Sequence, residues 1–144
     1  MPDLEIENTA RKYLRVRFKH QGRIPNIPLE KGPDGIVKGY LDCAGLVIKV
    51  AHDLKKSEFD FTNYRLNPDT VTMRKYLNSN MDRIEEKEVG CVFYMAFHKH
   101  PQHLAIYTSK DTIIHAASLY GKVVEHRLDD FWTSKIKEIY KYRR

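Results

Sequence analysis

Cys43 and two later histidines, His103 and His115, are the residues of this chain best suited to nucleophilic chemistry. Cys43 lies in Asp42-Cys43-Ala44-Gly45-Leu46-Val47, where Asp42 suits a helix N-cap and the apolar positions 44, 47, 48, 51 and 54 repeat at helical spacing. A thiol in the first turn of a helix meets outward-pointing backbone N–H groups and the positive end of the macrodipole. Such surroundings lower a thiol pKa from about 8.5 into the range of roughly 3.5–7.5. The thiolate is a nucleophile, and the same N–H groups stabilise the oxyanion that forms when it attacks a carbonyl. The alternative for Cys43 is a small buried hydrophobe beside Ala44.

A nucleophilic thiol needs a base, and the base needs a group to orient it. His103 and His115 each fall in a strand candidate, with the turn Ser109-Lys110-Asp111 between them. Paired opposite one another they share a face, so that His103 serves as base and His115 fixes its ring and tautomer. A two-residue turn instead sets His103 opposite Ala116. Either histidine alone is also ordinary on a half-exposed sheet. His98, His100 and His103 form a His-x-His-x-x-His run, but Pro101 interrupts it and no Cys or carboxylate at ligand spacing completes the set, so no metal is implied. Cys91 opens a strand beside Gly90 and reads as a core residue, while His20, His52 and His126 have no distinctive context.

The elements that must position these groups follow from pattern. Asp3 is placed to cap a short amphipathic helix with Ile6, Ala10, Tyr13 and Leu14 on one face. Residues Ile24 to Tyr40 hold three of the six prolines and three of the seven glycines and read as a loop. The helix opened by Asp42 is the most apolar and hence central. Asn67-Pro68-Asp69 starts another helix, to about Asn78. Strand candidates Cys91–Phe97, His103–Thr108, Thr112–Ser118 and Lys122–Leu128, joined by short turns, predict an antiparallel meander. A last helix is predicted from Asp129 or Asp130, with Trp132, Ile136, Ile139 and Tyr140 on its buried face. Helices first, then an antiparallel sheet, then a closing C-terminal helix make an α+β fold.

The chain has 144 residues, 42% hydrophobic and 31% charged, a profile that fits one domain spanning 1–144. A chain of this length buries roughly 68% of its unfolded surface, so its core needs no disulfides. Cys43 and Cys91, widely separated and in no zinc-knuckle or Cys-x-x-Cys spacing, are expected to be reduced. No stretch approaches the roughly 18 apolar residues of a spanning helix, and Met1-Pro2-Asp3-Leu4-Glu5 is acidic where a signal peptide is basic. The expectation is synthesis in the cytoplasm, without membrane insertion. The formal charge of +6 and pI near 9.3 favour a polyanionic partner. Nucleic acid is not implied, because the basic residues are dispersed and no RRM-like aromatic pair or helix-turn-helix pattern is present.

Asp42-Cys43-Ala44-Gly45-Leu46-Val47 resembles the Asp-Cys-Ser-Gly-Leu-Val nucleophile motif of the NlpC family of papain-like cell-wall cysteine peptidases. His103-Leu104-Ala105-Ile106-Tyr107 resembles that family's His-Val-Gly-Ile-Tyr, and Ile114-His115-Ala116 matches the position of its third polar residue. Arg17-Phe18-Lys19-His20-Gln21-Gly22-Arg23, followed by the nucleophile motif, is most similar to the phage-tail and gene-transfer-agent branch. The resemblance implies a papain-like α+β core in which Cys43 attacks a peptide carbonyl, His103 is base and then acid, and His115 orients His103, with no metal or cofactor. It further implies peptidoglycan stem peptides as substrate, commonly cut between D-γ-glutamyl and diaminopimelyl residues, and phage-tail or tail-tip proteins as partners. The location implied is a virion or tail-like particle acting at the cell wall or periplasm, where the positive charge suits an anionic envelope. The order Cys before His separates the chain from permuted acyltransferase relatives.

Three departures stand out. Phe18 occupies the place where many members carry a Tyr, and a phenyl ring donates no hydrogen bond. Gln21 or His20 is then a candidate oxyanion donor, and Phe18 and Asp42 complete the substrate-facing set. Ala44 replaces Ser. The 24–40 loop exceeds the usual link and reads as a lid, a substrate wall or a contact with tail proteins, while Tyr64 and Arg65 either line the cleft or pack. Phe18 and the loop favour an alternative: a structural tail-tip or tail-assembly protein that keeps the fold with weak or no catalysis.

Overall fold

The amphipathic run after Leu4 forms α1 (Glu5–Arg11), and two short strands, β1 (Arg17–Phe18) and β2 (Tyr40–Leu41), lead into α2 (Cys43–Asp53). Helix α3 (Thr70–Asn80) runs directly into β3 (Met81–Ile84), followed by β4 (Val92–Met95), β5 (His103–Tyr107), β6 (Thr112–Ala117) and β7 (Lys122–Arg127). One helical turn, α4 (Asp130–Thr133), precedes the last strand, β8 (Ile136–Tyr142). The structure is a computed structural model and describes residues 4–20, 22, 39–57, 60, 70–97 and 102–143.

The strands form one sheet in the order β2-β1-β7-β6-β5-β4-β8-β3, antiparallel except for the parallel pair β1/β2. The four central strands are the meander expected from the turn spacing. Alternation along them divides the apolar residues between two faces. Leu104, Ile106, Ile114 and Ala116 meet the helices, whereas Ala105, Ile113, Phe93 and Met95 meet Trp132 of α4 on the other side. Helix α2 forms where the sequence predicts it: the Asp42 carboxylate accepts a 2.7 Å hydrogen bond from the Gly45 N–H. Its Leu46, Val47, Ile48 and Val50 are buried, each contributing roughly 1.5–3 kcal/mol of apolar burial. The Tyr142 hydroxyl donates to the Val47 carbonyl at 2.8 Å and ties the last strand to this helix.

The C-terminal segment departs from expectation: residues 136–142 are strand β8, not a closing helix. It fills the slot between β4 and β3, pairing with both. Its register against β4 jumps from Glu138 opposite Tyr94 to Ile136 opposite Met95, which leaves Lys137 as a bulge. The bulge turns Ile136 and Ile139 onto the same sheet face, where both pack in the Trp132 cluster. Their i, i+3 spacing therefore resembles helical periodicity while arising from a kinked strand. Glu138, Tyr140 and Tyr142 alternate onto the opposite, buried side.

Candidate active site

Cys43 is the first residue of α2, half-buried and packed with Phe18 against the helix-side core. The parallel pairing of β1 with β2 sets Phe18 beside Leu41, two positions before the thiol. Gly22 closes a turn against this junction, its N–H donating to the Lys19 carbonyl at 2.8 Å. A Cβ there would stand 2.8 Å from the Tyr40 carbonyl carbon and 2.9 Å from the Leu41 nitrogen, backbone atoms that cannot swing aside. Glycine is what lets the chain pass this close to the strand that leads into Cys43.

The histidines come together by diagonal register. Between β5 and β6 the pairs are Ile106 with Ile114 and Tyr107 with Ile113, closed by a three-residue loop whose Asp111 adopts a left-handed φ of 57°. Extended along the strands, that register sets Ala105 opposite His115 and Ala117 opposite His103, two positions away from the expected direct pairing. A shift of two preserves the face. His103 Nε2 lies 2.6 Å from His115 Nδ1. On the other side His115 stands opposite Val124, so that its diagonal neighbour in β7 is His126. His115 Nε2 lies 2.7 Å from His126 Nε2, and His126 Nδ1 lies 3.0 Å from the Arg127 carbonyl. Sequence reading passed over His126; only its even spacing from Val124 in a paired strand could have signalled it.

Aromatic rings enclose this row. Trp132 lies 5.0 Å from His115 and 4.8 Å from His126, and Phe97 meets His103 edge-on at 5.9 Å. His115 is wholly buried, and burial, with the neighbouring His103 and His126, pushes its pKa down to about 2, so its ring stays neutral. His103 lines an apolar pocket of about 80 Å³ with Phe97, Ala117, Ser118, Leu119 and Trp132. Nε2 of His103 is engaged by His115, which leaves Nδ1 as the ring nitrogen that faces away from this contact. Gln102, just before it, is buried and accepts a hydrogen bond from the Tyr94 hydroxyl, anchoring the start of β5.

On the helix side the same hairpin is held by charge. The Glu7 carboxylate accepts from the Ser109 N–H and hydroxyl, both at 3.0 Å, and pairs with Arg11. Arg11 in turn makes two bonds to Glu125, at 3.0 and 3.1 Å, and Glu125 accepts from Thr112. Cys91 is fully buried, and burial pushes its thiol up to about 11, which makes it inert.

With this geometry in view, residues 15–141 match the sequence profile of the NlpC/P60 family. The chain belongs to the NlpC/P60 family. No curated protein sequence matches it. Its fold is similar to that of an NLP/P60-family protein of Staphylococcus aureus described as similar to a lipoprotein (TM-score 0.57, 15% identity, 96% of this chain and 40% of that one). It is also similar to the peptidoglycan hydrolase RipB of Mycobacterium tuberculosis (TM-score 0.62, 15% identity, 97% and 64%). RipD of M. tuberculosis, a non-catalytic NlpC/p60 domain protein adapted to peptidoglycan binding, is a third (TM-score 0.58, 13% identity, 99% and 98%). The chain thus spans less than two thirds of the first two. NlpC/P60 members are usually cysteine peptidases, and the neighbours here include catalytic and non-catalytic proteins alike.

Against this NlpC/P60 background, the structure brings His103 and His115 together and sets Cys43 at the head of a helix that packs on the strands carrying them. Asp42 serves as the helix cap, and a carboxylate, which only accepts, offers no oxyanion donor. Phe18 packs against the core and His20 is half-buried. Gln21, the 24–38 part of the loop, Tyr64, Arg65, the Asn67-Pro68-Asp69 cap, His98, His100 and Pro101 lie outside the described residues. Among the described residues no group of three or more metal-ligating side chains is arranged to hold a metal, and no helix is long and apolar enough to cross a membrane.

Proposed function

We propose that residues 1–144 form a single cysteine peptidase domain that hydrolyses peptidoglycan stem peptides, with Cys43 as nucleophile, His103 as base and His115 as its orienting partner. The observation that carries this reading is the 2.6 Å contact between His103 Nε2 and His115 Nδ1, on strands against which the Cys43 helix packs. The Cys43 thiol gives its proton to His103 Nδ1, and the thiolate attacks the peptide carbonyl. First-turn N–H groups of α2 stabilise the oxyanion. The amine leaves with the proton from Nδ1, and a water activated at the same nitrogen hydrolyses the thioester.

The bond favoured is that between D-γ-glutamyl and diaminopimelyl residues, and the setting a phage tail or tail-like particle. The support is the similarity of 17–23 and the nucleophile motif to that branch. Incubation of the purified protein with muropeptides tests both activity and bond: new amino termini at diaminopimelate are expected, and their absence, or their persistence in Cys43→Ala, overturns the reading. Phe18, paired with Leu41 two residues before Cys43 where many members have a Tyr hydroxyl, favours a second reading in which the domain binds peptidoglycan or tail proteins without cutting. Muropeptide binding without turnover selects that one.

A further inference from the structure

A chain of hydrogen bonds between neutral imidazoles has a direction, because each ring carries one N–H and one lone pair. The direction is decided where a partner's role cannot be exchanged. Here that place is the Arg127 main-chain carbonyl, 3.0 Å from His126 Nδ1. A carbonyl only accepts, so in its neutral form His126 carries its proton on Nδ1 and offers a lone pair at Nε2. His115 Nε2, 2.7 Å away, must then donate, which makes His115 Nδ1 an acceptor. His103 Nε2, 2.6 Å from that acceptor, donates in turn, and the lone pair of His103 falls on Nδ1. That is the nitrogen required to take up a thiol proton.

We propose that His126 is a positioning residue of this site, which reads the Arg127 carbonyl and, through His115, sets His103 in the tautomer that acts as a base. Three further observations bear on it. The strand registers put the three histidines on one face in a single diagonal row. Trp132 at 4.8 Å and Tyr120 at 5.6 Å hold the His126 ring in place. His115, wholly buried and neutral, has only one proton, so it cannot donate in both directions. A conventional Cys-His-His arrangement leaves the tautomer of its third member open; the carbonyl at the far end closes that choice.

The inference rests on the peptidase reading only for its effect on catalysis, since the tautomers exist without substrate. The direct experiment is long-range ¹H–¹⁵N NMR of the full chain labelled at histidine nitrogens, at a pH where the rings are neutral. The expected pattern is Nε2–H for His103 and His115 and Nδ1–H for His126; an Nδ1–H form of His103 or His115 overturns the proposal without any variant. His126→Phe keeps a ring between Trp132 and Tyr120 but removes the acceptor. It should convert His103 and His115 to mixed tautomers and slow Cys43 alkylation on the order of 10-fold or more. His126→Gln, whose terminal oxygen can accept from His115 Nε2–H, should restore both readouts to within about two-fold of the original protein. Unchanged tautomers in His126→Phe overturn the proposal. The expected tautomers in a protein that cleaves no muropeptide would uphold the relay and overturn the peptidase reading.

Discussion

The β5–β6–β7 ribbon carries a chain of hydrogen bonds on each of its faces, and the two are built on opposite principles. On the helix side Glu7, Arg11 and Glu125 join Ser109 and Thr112 through charge-assisted bonds. On the other side His103, His115 and His126 join a main-chain carbonyl through imidazole rings. Carboxylates accept at every lone pair and guanidinium donates at every N–H, so the charged chain is strong but cannot reverse or transmit a donor–acceptor choice. Neutral imidazoles can transmit one, at the cost of having to be buried away from competing water. The charged chain holds the ribbon to α1; the neutral one gives its end residue a defined proton-accepting edge.

Variants that break the neutral chain should strike activity far more than stability, and those that break the charged one should strike stability alone. The largest effect is expected from His103→Ala, which should lower muropeptide cleavage on the order of 10⁴-fold, far beyond the loss of about 1–3 kcal/mol in stability that unpairing buried His115 brings. Comparable activity in that variant would remove the catalytic role assigned to this face. Next is the contrast between thiols. Cys43 should react with iodoacetamide roughly 100-fold or more faster than Cys91 at pH 7, because burial holds the Cys91 thiol at about 11; peptide mapping of alkylated protein reads the ratio.

Smaller effects are expected on the charged side. Glu125→Ala strips the half-buried Arg11 of its two-point partner and should cost about 1–2 kcal/mol in denaturant unfolding, with turnover within two-fold. The smallest is a pH effect. The hydrogen bond from Arg11 holds Glu125 below the usual 4.5 against opposing burial; for Glu7, bonds from Ser109 and Arg11 outweigh the burial that would raise it. Groups whose folded pKa is depressed stabilise the protein above the unfolded value and lose that contribution as pH falls through the folded one. Stability should therefore decline below about pH 4.5, and Glu125→Gln should shallow that decline in acid titrations followed by circular dichroism.

Local pattern made much of this legible. Asp42 caps α2 because a short acidic side chain before an apolar helical run has one low-energy use, and Gly45 N–H is where it points. The meander followed from four β-rich segments separated by short turns. The 136–142 segment misled because a bulge at Lys137 gives Ile136 and Ile139 a helical spacing, and a bulge exists only once a partner strand does. Glu7 and His126 carried no local mark, since each acquires its role from a strand or loop brought to it by folding.

Residue order alone therefore settled the parts that depend on nearest neighbours in the chain: the capped helix with a cysteine at its head, the strands, and the histidines available to serve it. The partners of those residues were decided by tertiary structure. Register selected which face and which diagonal the histidines share, and the slot between β4 and β3 turned a helical pattern into a strand. The parallel pairing of β1 with β2 set Phe18 opposite Leu41, two residues before Cys43. Hydrogen-bond direction draws on both, because the Arg127 carbonyl that decides it neighbours His126 in the chain, while it reaches His103 only because folding holds the three rings within 3 Å of one another.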